Sequence, residues 1–431
     1  MTAMPSPAAV WVGNEFSLID RAVGFMNLRL RQALYLCWPL LLFLGGTAYP
    51  QGQAATRGGN LSLLKDAAQS ISAGNMDRAE RELQSVLQAS PEEFRALNLL
   101  GIIRAQQHRE PEAERFFKRA IEIKPDFTSA HASLGLLYAQ MSKPDEAIPE
   151  LKEALRLDPG RTDASVALSG VWRDQAHTAV EQRDPEKALS LLIEARKINP
   201  NDADVQFDFG MVALRMSLFP DAVQAFQEAL NLRKNESNAL YGLGRAQMGL
   251  DKYDDAHEAF ARFVQLQPQD ASGHYALGMT LQALQRSDEA RSEYEKSIQL
   301  KPEQTECYFQ LGVMDLDSGD LKSATDRFSR VFKHDPHHAG ALIGAGRVAF
   351  QQKEYTKAAE LLQSALAAES SLREAHYYLG LAYARLGRTE DSERELQIAS
   401  QMEKEDVEKH RTVFRIIDPE KAHAPANDQS Q

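Results

Sequence analysis

Residues 128–161 read TSAHASLGLLYAQMSKPDEAIPELKEALRLDPGR, and this stretch decides the fold because its pattern recurs along the chain. Its glycine, Gly135, belongs to a series at positions 101, 135, 210, 244, 278, 312, 346 and 380. Neighbouring members are 34 residues apart, except for one gap of 75, which is two periods plus seven residues. A fixed period of this length predicts a stack of similar supersecondary units rather than several globular domains.

Other positions keep the same phase and predict two helices in each unit. Ala147 follows Gly135 by twelve residues, and Leu151 stands four residues further on. The residues at the positions of Gly135 and Ala147 are small, which lets two antiparallel helices approach closely. A glycine inside a helix costs about 1 kcal/mol relative to alanine, and the close packing must offset this cost. Pro159 cannot continue a helix interior and marks the exit from the second helix. Because no segment alternates with period two, almost no strand is expected.

The pattern L-G-x₁₁-A-x₃-F-x₂-A-x₄-P, carried by Leu134-Gly135, Ala147, Leu151, Ala154 and Pro159, resembles the tetratricopeptide repeat (TPR). The resemblance covers residues 60–406 and implies an all-α fold, a right-handed α-solenoid superhelix of antiparallel helix pairs. The ten predicted repeats span residues 60–93, 94–127, 128–161, 162–202, 203–236, 237–270, 271–304, 305–338, 339–372 and 373–406.

The fourth repeat and the ends of the array depart from the pattern. The fourth repeat carries seven extra residues within Gln175–Arg183. Seven residues are nearly two helical turns, and QAHTAVEQ contains neither Gly nor Pro, so we expect a lengthened first helix rather than a longer loop. Residues 407–417 are predicted to form a capping helix over the last apolar face. Residues 55–59 are predicted to be a linker, and residues 418–431 a disordered tail.

Residues 1–54 are predicted to be an N-terminal extension and signal peptide. The segment Ala33–Gly46, ALYLCWPLLLFLGG, is an apolar run that follows two arginines and precedes small residues. This order is typical of a secretory signal, and its layout fits a start at Met26.

The signal would span residues 26–48 or 26–54, and we expect a periplasmic or secreted protein. The apolar run is short for a membrane span, which needs about 20 apolar residues. Anchoring by residues 33–49 is the alternative.

Composition argues against several classes of function. The chain has 49 basic and 61 acidic residues, for a net charge of -12, whereas nucleic-acid binders usually present a basic surface. Its two cysteines, Cys37 and Cys307, are too few for a disulfide scaffold or a four-thiolate zinc site. No phosphate-binding loop, dinucleotide fingerprint or nucleophile elbow occurs in a suitable context. We therefore expect a protein that is not an enzyme and needs no cofactor.

One histidine cluster has metal-like spacing. His334, His337 and His338 fall within five residues, at the junction between the eighth and ninth repeats. Three histidines this close could hold a transition-metal ion. Polar residues at a variable junction are the favoured interpretation, and no metal site is predicted.

The resemblance implies a binding surface on the first helices. In TPR proteins, first-helix positions 2, 5, 6, 9, 12 and 13 line an inner groove where extended peptides or partner segments dock. Position 5 is aromatic in five repeats, and arginines stand at positions 9 and 13. The candidate groove residues are Phe207, Arg215, Tyr241, Arg245, Tyr275, Phe309, Arg347, Tyr377 and Arg385.

The groove positions carry balanced charge. Seven cationic and seven anionic residues occupy these positions, so the net negative charge of the chain lies on other surfaces. Arg215 and Arg245 come from adjacent repeats and could fork onto a carboxylate of the partner. Pairing with Asp208 of the same chain is the alternative, and the sequence leaves both open.

These observations support two hypotheses of different class. The first is an exported TPR scaffold or adaptor that binds protein or peptide segments in its concave groove and supports assembly of an envelope or secretion complex. The alternative is an accessory or carbohydrate-binding module of a polysaccharide or glycosylation system, with groove aromatics stacking on sugars. Under either hypothesis no nucleic-acid partner is expected, and the membrane is contacted only through a retained signal.

Overall fold

The computed structural model describes residues 54–417, with side chains for residues 60–405, and this part of the chain forms twenty α-helices without a strand. The all-α prediction is confirmed. Contacts divide the chain into two units, before and after the bond between Lys252 and Tyr253, and each is described by itself.

The first unit contains eleven helices among its described residues. They are α1 (Ala54–Ser72), α2 (Met76–Ala89), α3 (Phe94–Gln106), α4 (Glu110–Ile123), α5 (Thr128–Gln140), α6 (Pro144–Leu157), α7 (Thr162–Glu181), α8 (Pro185–Ile198), α9 (Ala203–Arg215), α10 (Phe219–Leu232) and α11 (Ser237–Met248). From α1 to α10 they form five pairs joined by short turns, and each helix packs along its pair partner.

The second unit contains nine helices among its described residues. They are α12 (Tyr253–Leu266), α13 (Ala271–Ala283), α14 (Ser287–Leu300), α15 (Thr305–Asp317), α16 (Leu321–His334), α17 (Ala339–Gln351), α18 (Tyr355–Ala368), α19 (Arg373–Arg385) and α20 (Thr389–Ile417). From α13 to α20 they form pairs seven to ten, numbered by the repeat to which they belong.

The glycine period in the sequence has a direct packing cause. A Cβ atom added to Gly101 would lie 2.5 Å from the ring of Phe117, and one added to Gly312 would lie 2.7 Å from the ring of Phe328. Both distances are too short for any side chain to replace the glycine without displacing the ring. The large residue sixteen positions later therefore occupies the space that a first-helix side chain would need.

Two of these rings are shared between consecutive pairs. The ring of Phe226 lies against Gly210 of its own pair and against Gly242 of the next first helix. Phe328 lies in the same way between Gly312 and Gly344. The core of one pair is thus completed by the first helix of the following pair.

The large residues that follow the repeated alanines by four positions form the centre of the core. Nine of the ten are at most 1% exposed, and Leu396 of the last pair is half-buried. The nine buried residues are Leu83, Phe117, Leu151, Leu192, Phe226, Phe260, Tyr294, Phe328 and Leu362.

Each turn after a first helix contains one residue in the left-handed conformation. Only three of these ten residues are glycine. They are Gly74, His108, Ser142, Arg183, Ser217, Asp251, Gln285, Gly319, Lys353 and Gly387. In pair five the N–H of Leu218 donates to the carbonyl of Ala213 at 2.8 Å, which is the bond of a Schellman motif and explains the reversal of the chain.

The insertion lengthens a helix, as predicted. Helix α7 has 20 residues, whereas the first helices of the neighbouring pairs have 13. Two added turns keep the buried face in phase.

The ends of the array differ in detail from the sequence interpretation. Helix α1 begins at Ala54 and includes residues 55–59, which were expected to be a linker. Residues 407–417 continue α20 without a break. The role of residues 407–417 as a cap stays a prediction. The predicted signal or anchor within residues 1–53 and the predicted tail 418–431 lie outside the described residues.

No helix in residues 54–417 combines the length and the apolar character that a membrane span requires.

Candidate functional site on the first helices

First helices pack on one another in series within each unit. In the first unit α5 packs on α7 and α7 packs on α9, and in the second unit α15 packs on α17 and α17 packs on α19. Equivalent positions on consecutive first helices therefore form rows. We call the surface made by these rows the first-helix face of each unit.

The first-helix face of the first unit is dominated by a buried ion cluster between α7 and α9. The Arg173 side chain is only 5% exposed, and its Nε lies 3.4 Å from Oδ2 of Asp208. Nη1 of Arg173 lies 3.6 Å from Asp204, which also accepts hydrogen bonds from Arg233. Each charge is matched by an opposite charge, as burial of ions requires.

His177 joins this cluster from the inserted turns of α7. Its Nε2 lies 2.8 Å from Oδ2 of Asp208. Burial lowers the pKa of His177, but the hydrogen bond to Asp208 and the charge of that carboxylate raise the pKa more, so the net shift is upward. The insertion thus supplies a side chain that fixes α7 to the next first helix.

The predicted groove residues of the first unit occupy different environments. The ring of Phe207 is half-buried, and its centroid lies 5.9 Å from that of Phe226. Tyr241 and Arg245 are half-buried on α11, and Arg215 is exposed at the end of α9. Since Asp208 contacts Arg173 and His177, the structure gives this carboxylate partners that the sequence analysis did not consider.

In the second unit, Arg347 connects three consecutive first helices. From α17, its Nη2 donates to Asp317 of α15 at 3.0 Å, and its Nη1 lies 3.2 Å from Glu374 of α19. The guanidinium also lies 5.4 Å from the ring centroid of Tyr378, within the range of a cation–π contact. Arg347 is therefore oriented by two carboxylates and one ring.

An aromatic group adjoins Arg347. The ring centroid of Tyr378 lies 5.3 Å from that of Tyr377 and 6.2 Å from that of Phe350, which in turn lies 5.5 Å from that of Tyr355. Tyr377 is 46% exposed, whereas its three neighbours are half-buried. This group, which we call the Tyr377 patch, presents a supported aromatic ring to solvent.

The other predicted residues of the second unit differ in accessibility. Tyr275 is only 5% exposed, and its ring lies 6.0 Å from that of Tyr294 in the core. Phe309 is half-buried, because a Cβ on Gly340 of α17 would lie 2.8 Å from its ring. Arg385 is exposed at the end of α19.

The histidine cluster has an architectural use. Nδ1 of His338 accepts the N–H of Ala341 at 3.0 Å and caps α17, while its Nε2 lies 3.3 Å from Glu306. His334 and His337 are exposed. Within the described residues no group of three or more His, Cys, Asp or Glu side chains is arranged to hold a metal ion.

Two features of these faces were missed in the sequence. Arg173 and His177 meet carboxylates 31 or 35 residues later, close to the 34-residue period, so a search for opposite charges near that spacing would have found them. Tyr378 stands next to Tyr377 at position 6, and the pair of adjacent tyrosines is the available signal.

Comparison with known proteins adds a family assignment. A family model described as the C-terminal domain of cilia and flagella-associated protein 70 matches residues 60–307, more than half of the chain. A tetratricopeptide repeat model matches residues 309–373. No curated protein matches the sequence significantly.

Several solved structures resemble the chain. "Crystal structure of YrrB: a TPR protein with an unusual peptide-binding site" is 25% identical, with 43% of this chain and 95% of that chain covered and a TM-score of 0.37. MamA from Desulfovibrio magneticus RS-1 is 24% identical, with coverages of 39% and 96% and a TM-score of 0.38. Yeast Tom70 is 13% identical, with coverages of 86% and 100% and a TM-score of 0.36.

Proposed function

Because the chain belongs to the tetratricopeptide repeat family, we propose that it is a non-enzymatic scaffold that binds protein or peptide segments on its first-helix faces. TPR families are generally non-catalytic scaffolds. The observation that carries the proposal is the Tyr377 patch. A partly exposed tyrosine backed by other rings, beside an oriented arginine, has the composition of an interface hot spot.

The chemistry of the patch suits an extended polypeptide. Tyr377 and its neighbouring rings offer apolar contact to a side chain, and the Tyr377 hydroxyl group offers a hydrogen bond. Arg347 lies beside the ring of Tyr378, and its partners Asp317 and Glu374 can meet polar groups of a bound segment. Such a mixture of rings and charges binds a peptide through both its side chains and its backbone.

The proposed site of action is outside the cytoplasm. The apolar run Ala33–Gly46 and its flanking residues support export by a signal spanning residues 26–48 or 26–54. The scaffold would then support assembly of an envelope or secretion complex. Retention by residues 33–49 is the alternative within this proposal.

The carbohydrate-binding alternative has less support on these faces. Sugar stacking needs an accessible ring face, and Tyr275, one of the candidate groove aromatics, is buried against Tyr294. Tyr377 is the remaining well-exposed aromatic side chain among the described candidates.

Site-specific photo-crosslinking in the source cell tests the binding proposal. A photoreactive phenylalanine analogue replaces Tyr377 in the full chain, and a matched variant carries the analogue at Leu266, which is 40% exposed at the end of second helix α12. We expect discrete protein crosslinks at position 377 but not at position 266, with loss of these crosslinks when Arg347→Ala is added. Equal crosslinking at both positions would refute the proposed face.

Export is tested separately. A phosphatase that is active only outside the cytoplasm is fused after residue 60, and the N-terminus of the chain recovered from cells is sequenced. Phosphatase activity together with a mature N-terminus near residue 49 or 55 is expected. A cytoplasmic fusion would refute the export proposal while leaving the binding proposal intact.

A further inference from the structure

Three histidines at the same repeat position make the same pair of contacts. In pair three, Nδ1 of His131 lies 2.7 Å from Glu150 and Nε2 lies 2.9 Å from the carbonyl oxygen of Pro125. His274 in pair seven lies 2.6 Å from Glu293 and 3.2 Å from the Pro268 carbonyl. His376 in pair ten lies 2.6 Å from Glu395 and 3.2 Å from the Ser370 carbonyl.

The spacing of these contacts is constant. Each carboxylate stands nineteen residues after its histidine, on the second helix of the pair, and each carbonyl stands six residues before it. Each carbonyl lies in the turn that enters the pair, between α4 and α5, α12 and α13, or α18 and α19. The imidazole thus fastens the turn between two pairs to the second helix of the later pair.

Both acceptors demand a proton from the ring. A carbonyl oxygen and a carboxylate can only accept hydrogen bonds, whereas a neutral imidazole has one N–H group and one lone pair. Only the doubly protonated ring can make both contacts, and the negative carboxylate favours that state. For His131, the hydrogen bond to Glu150 raises the pKa above its ordinary value.

Gln206 and His338 make related hydrogen bonds that do not require a doubly protonated ring. Gln206 occupies the same position in pair five and donates Nε2–H to the Pro200 carbonyl at 2.8 Å, but Ala225 stands where the carboxylate would be. His338 accepts a backbone N–H at Nδ1, so a neutral ring satisfies both of its contacts. The two-acceptor arrangement therefore needs a carboxylate nineteen residues after the histidine.

The charges around the three rings are not identical. Glu153 of α6 adds a second negative charge near His131, while its equivalents in pairs seven and ten are Lys296 and Ile398. Cations flanking His131 are engaged elsewhere. Arg161 contacts Asp163 and Ser129, and Lys124, at the end of α4, lies 4.0 Å from Asp126.

Near His274 and His376 the carboxylates of Glu293 and Glu395 are the paired charges. Glu369, next to Ser370, accepts a hydrogen bond from Ser371.

We propose that His131, His274 and His376 are proton-operated clips that fix the turns entering pairs three, seven and ten and release them when the rings lose a proton. A neutral ring keeps one contact and directs a lone pair at the acceptor of the other. The junction between consecutive pairs then loses a hydrogen bond, and the turn becomes more mobile. The array is therefore stiffer at lower pH at three defined junctions.

The direction with pH follows from linkage. For His131, whose pKa folding raises, the stabilisation is complete below the unfolded value of about 6.5 and is lost as the pH rises through the higher folded pKa. For each unit by which folding raises the pKa of the ring, the equilibrium constant between the closed and the opened turn changes by about tenfold in total.

Histidine-selective carbon-13 NMR and hydrogen exchange on the full chain test the proposal. Resonances are assigned with single His→Gln variants and titrated between pH 5 and pH 9. We expect the His131 ring to titrate above 6.5. Backbone exchange of residues 124–131, 267–274 and 369–376, corrected for intrinsic rates, should accelerate between pH 5 and pH 9.

The triple variant with His131→Gln, His274→Gln and His376→Gln removes the proton but keeps the bond to the turn, as Gln206 does. It should fold and lose the pH dependence at the three segments, whereas the exposed control His337→Gln should retain it. Titration of His131 at or below 6.5 would overturn the proposal, as would pH-independent exchange of the three segments in the unsubstituted chain. So would an unchanged pH response in the triple variant.

Discussion

Pair five (α9 and α10) and pair eight (α15 and α16) have the same interior but different first-helix faces. In both, a phenylalanine ring lies between two glycines, Phe226 in one pair and Phe328 in the other. In pair five the face is occupied by Asp204 and Asp208, which meet Arg173 from the preceding pair. In pair eight Asp317 meets Arg347 from the following pair, beside the Tyr377 patch.

The difference teaches that the repeat leaves its face open to variation. A large residue on the second helix and a small residue on the first helix recur at the same two positions in all ten repeats. The face positions need only be compatible with neighbouring first helices, so one unit can bury an ion cluster there while the other exposes a ring. The following substitutions in the full chain test this contrast at matched positions.

Substitutions in the interior that the two pairs share should have the largest effects on stability, and these effects should be similar in both pairs. Phe226→Ala and Phe328→Ala each remove a fully buried ring, and each should lower the free energy of unfolding of its pair by about 3–5 kcal/mol. Native-state hydrogen exchange of the two pairs measures both effects, with the exposed Leu232→Ala as a control expected to cost less than about 0.5 kcal/mol. A cost confined to one of the two rings would show that the interiors are not equivalent.

Arginine substitutions on the two first-helix faces should lower the free energy of unfolding by different amounts. Arg173→Ala leaves the buried Asp208 carboxylate without its guanidinium partner and should cost about 3 kcal/mol. Arg347→Ala should cost about 1 kcal/mol, because its partners Asp317 and Glu374 can be hydrated. Urea unfolding followed by exchange in each unit distinguishes the two, and equal costs would contradict the contrast between a buried and an accessible face.

The ion cluster also predicts a pH response of pair five. The pKa of His177 is raised, so its contribution to stability is present below about 6.5 and is lost as the pH rises through the folded value. His177→Gln should flatten this dependence in pair five. Pair eight should respond to pH as in the unsubstituted chain, and hydrogen exchange at pH 6 and pH 8.5 provides the measurement.

The turns predict the smallest effects. Ser217 of pair five and Gly319 of pair eight hold equivalent left-handed positions, and a Cβ on Gly319 would meet no atom within 4 Å. Gly319→Ala should therefore cost about 1 kcal/mol from backbone strain alone. Ser217→Gly should stabilise by about 0.5 kcal/mol, since the relief of strain exceeds the added chain entropy. Opposite signs in thermal unfolding are the expected result.

Much of the fold could be predicted because it rests on local periodicity. The 34-residue period identified the helix pairs, and the absence of Gly and Pro in the insertion identified the long α7. The left-handed turn residues could not be predicted, since hydrogen bonds to the preceding helix impose that conformation on residues such as His108 and Lys353 as well as on glycines.

The candidate face was harder to predict because equal positions have unequal surroundings. Tyr275 and Tyr377 both occupy position 5, yet one is buried and the other is exposed. Phe309 shows the cause, since the start of the next first helix covers its ring at Gly340. No first helix follows α19 in the described chain, and Tyr377 has no such cover. Burial of a side chain thus depends on a neighbouring repeat and not on its own.

The rings of Phe226 and Phe328 have a consequence for how such a chain can be shortened or lengthened. Each ring is enclosed by its own pair and by the first helix of the next, so the smallest piece that closes its own core is three helices long. A deletion of one whole period keeps the helices in phase, but it restores this enclosure only where the rejoined first helix carries a small residue at the position of Gly242 or Gly344. Removal of residues 237–270 would bring Ala276 against Phe226, whereas removal of residues 339–372 would bring Tyr378 against Phe328. Copy number can therefore change by whole periods at some junctions of the array and not at others.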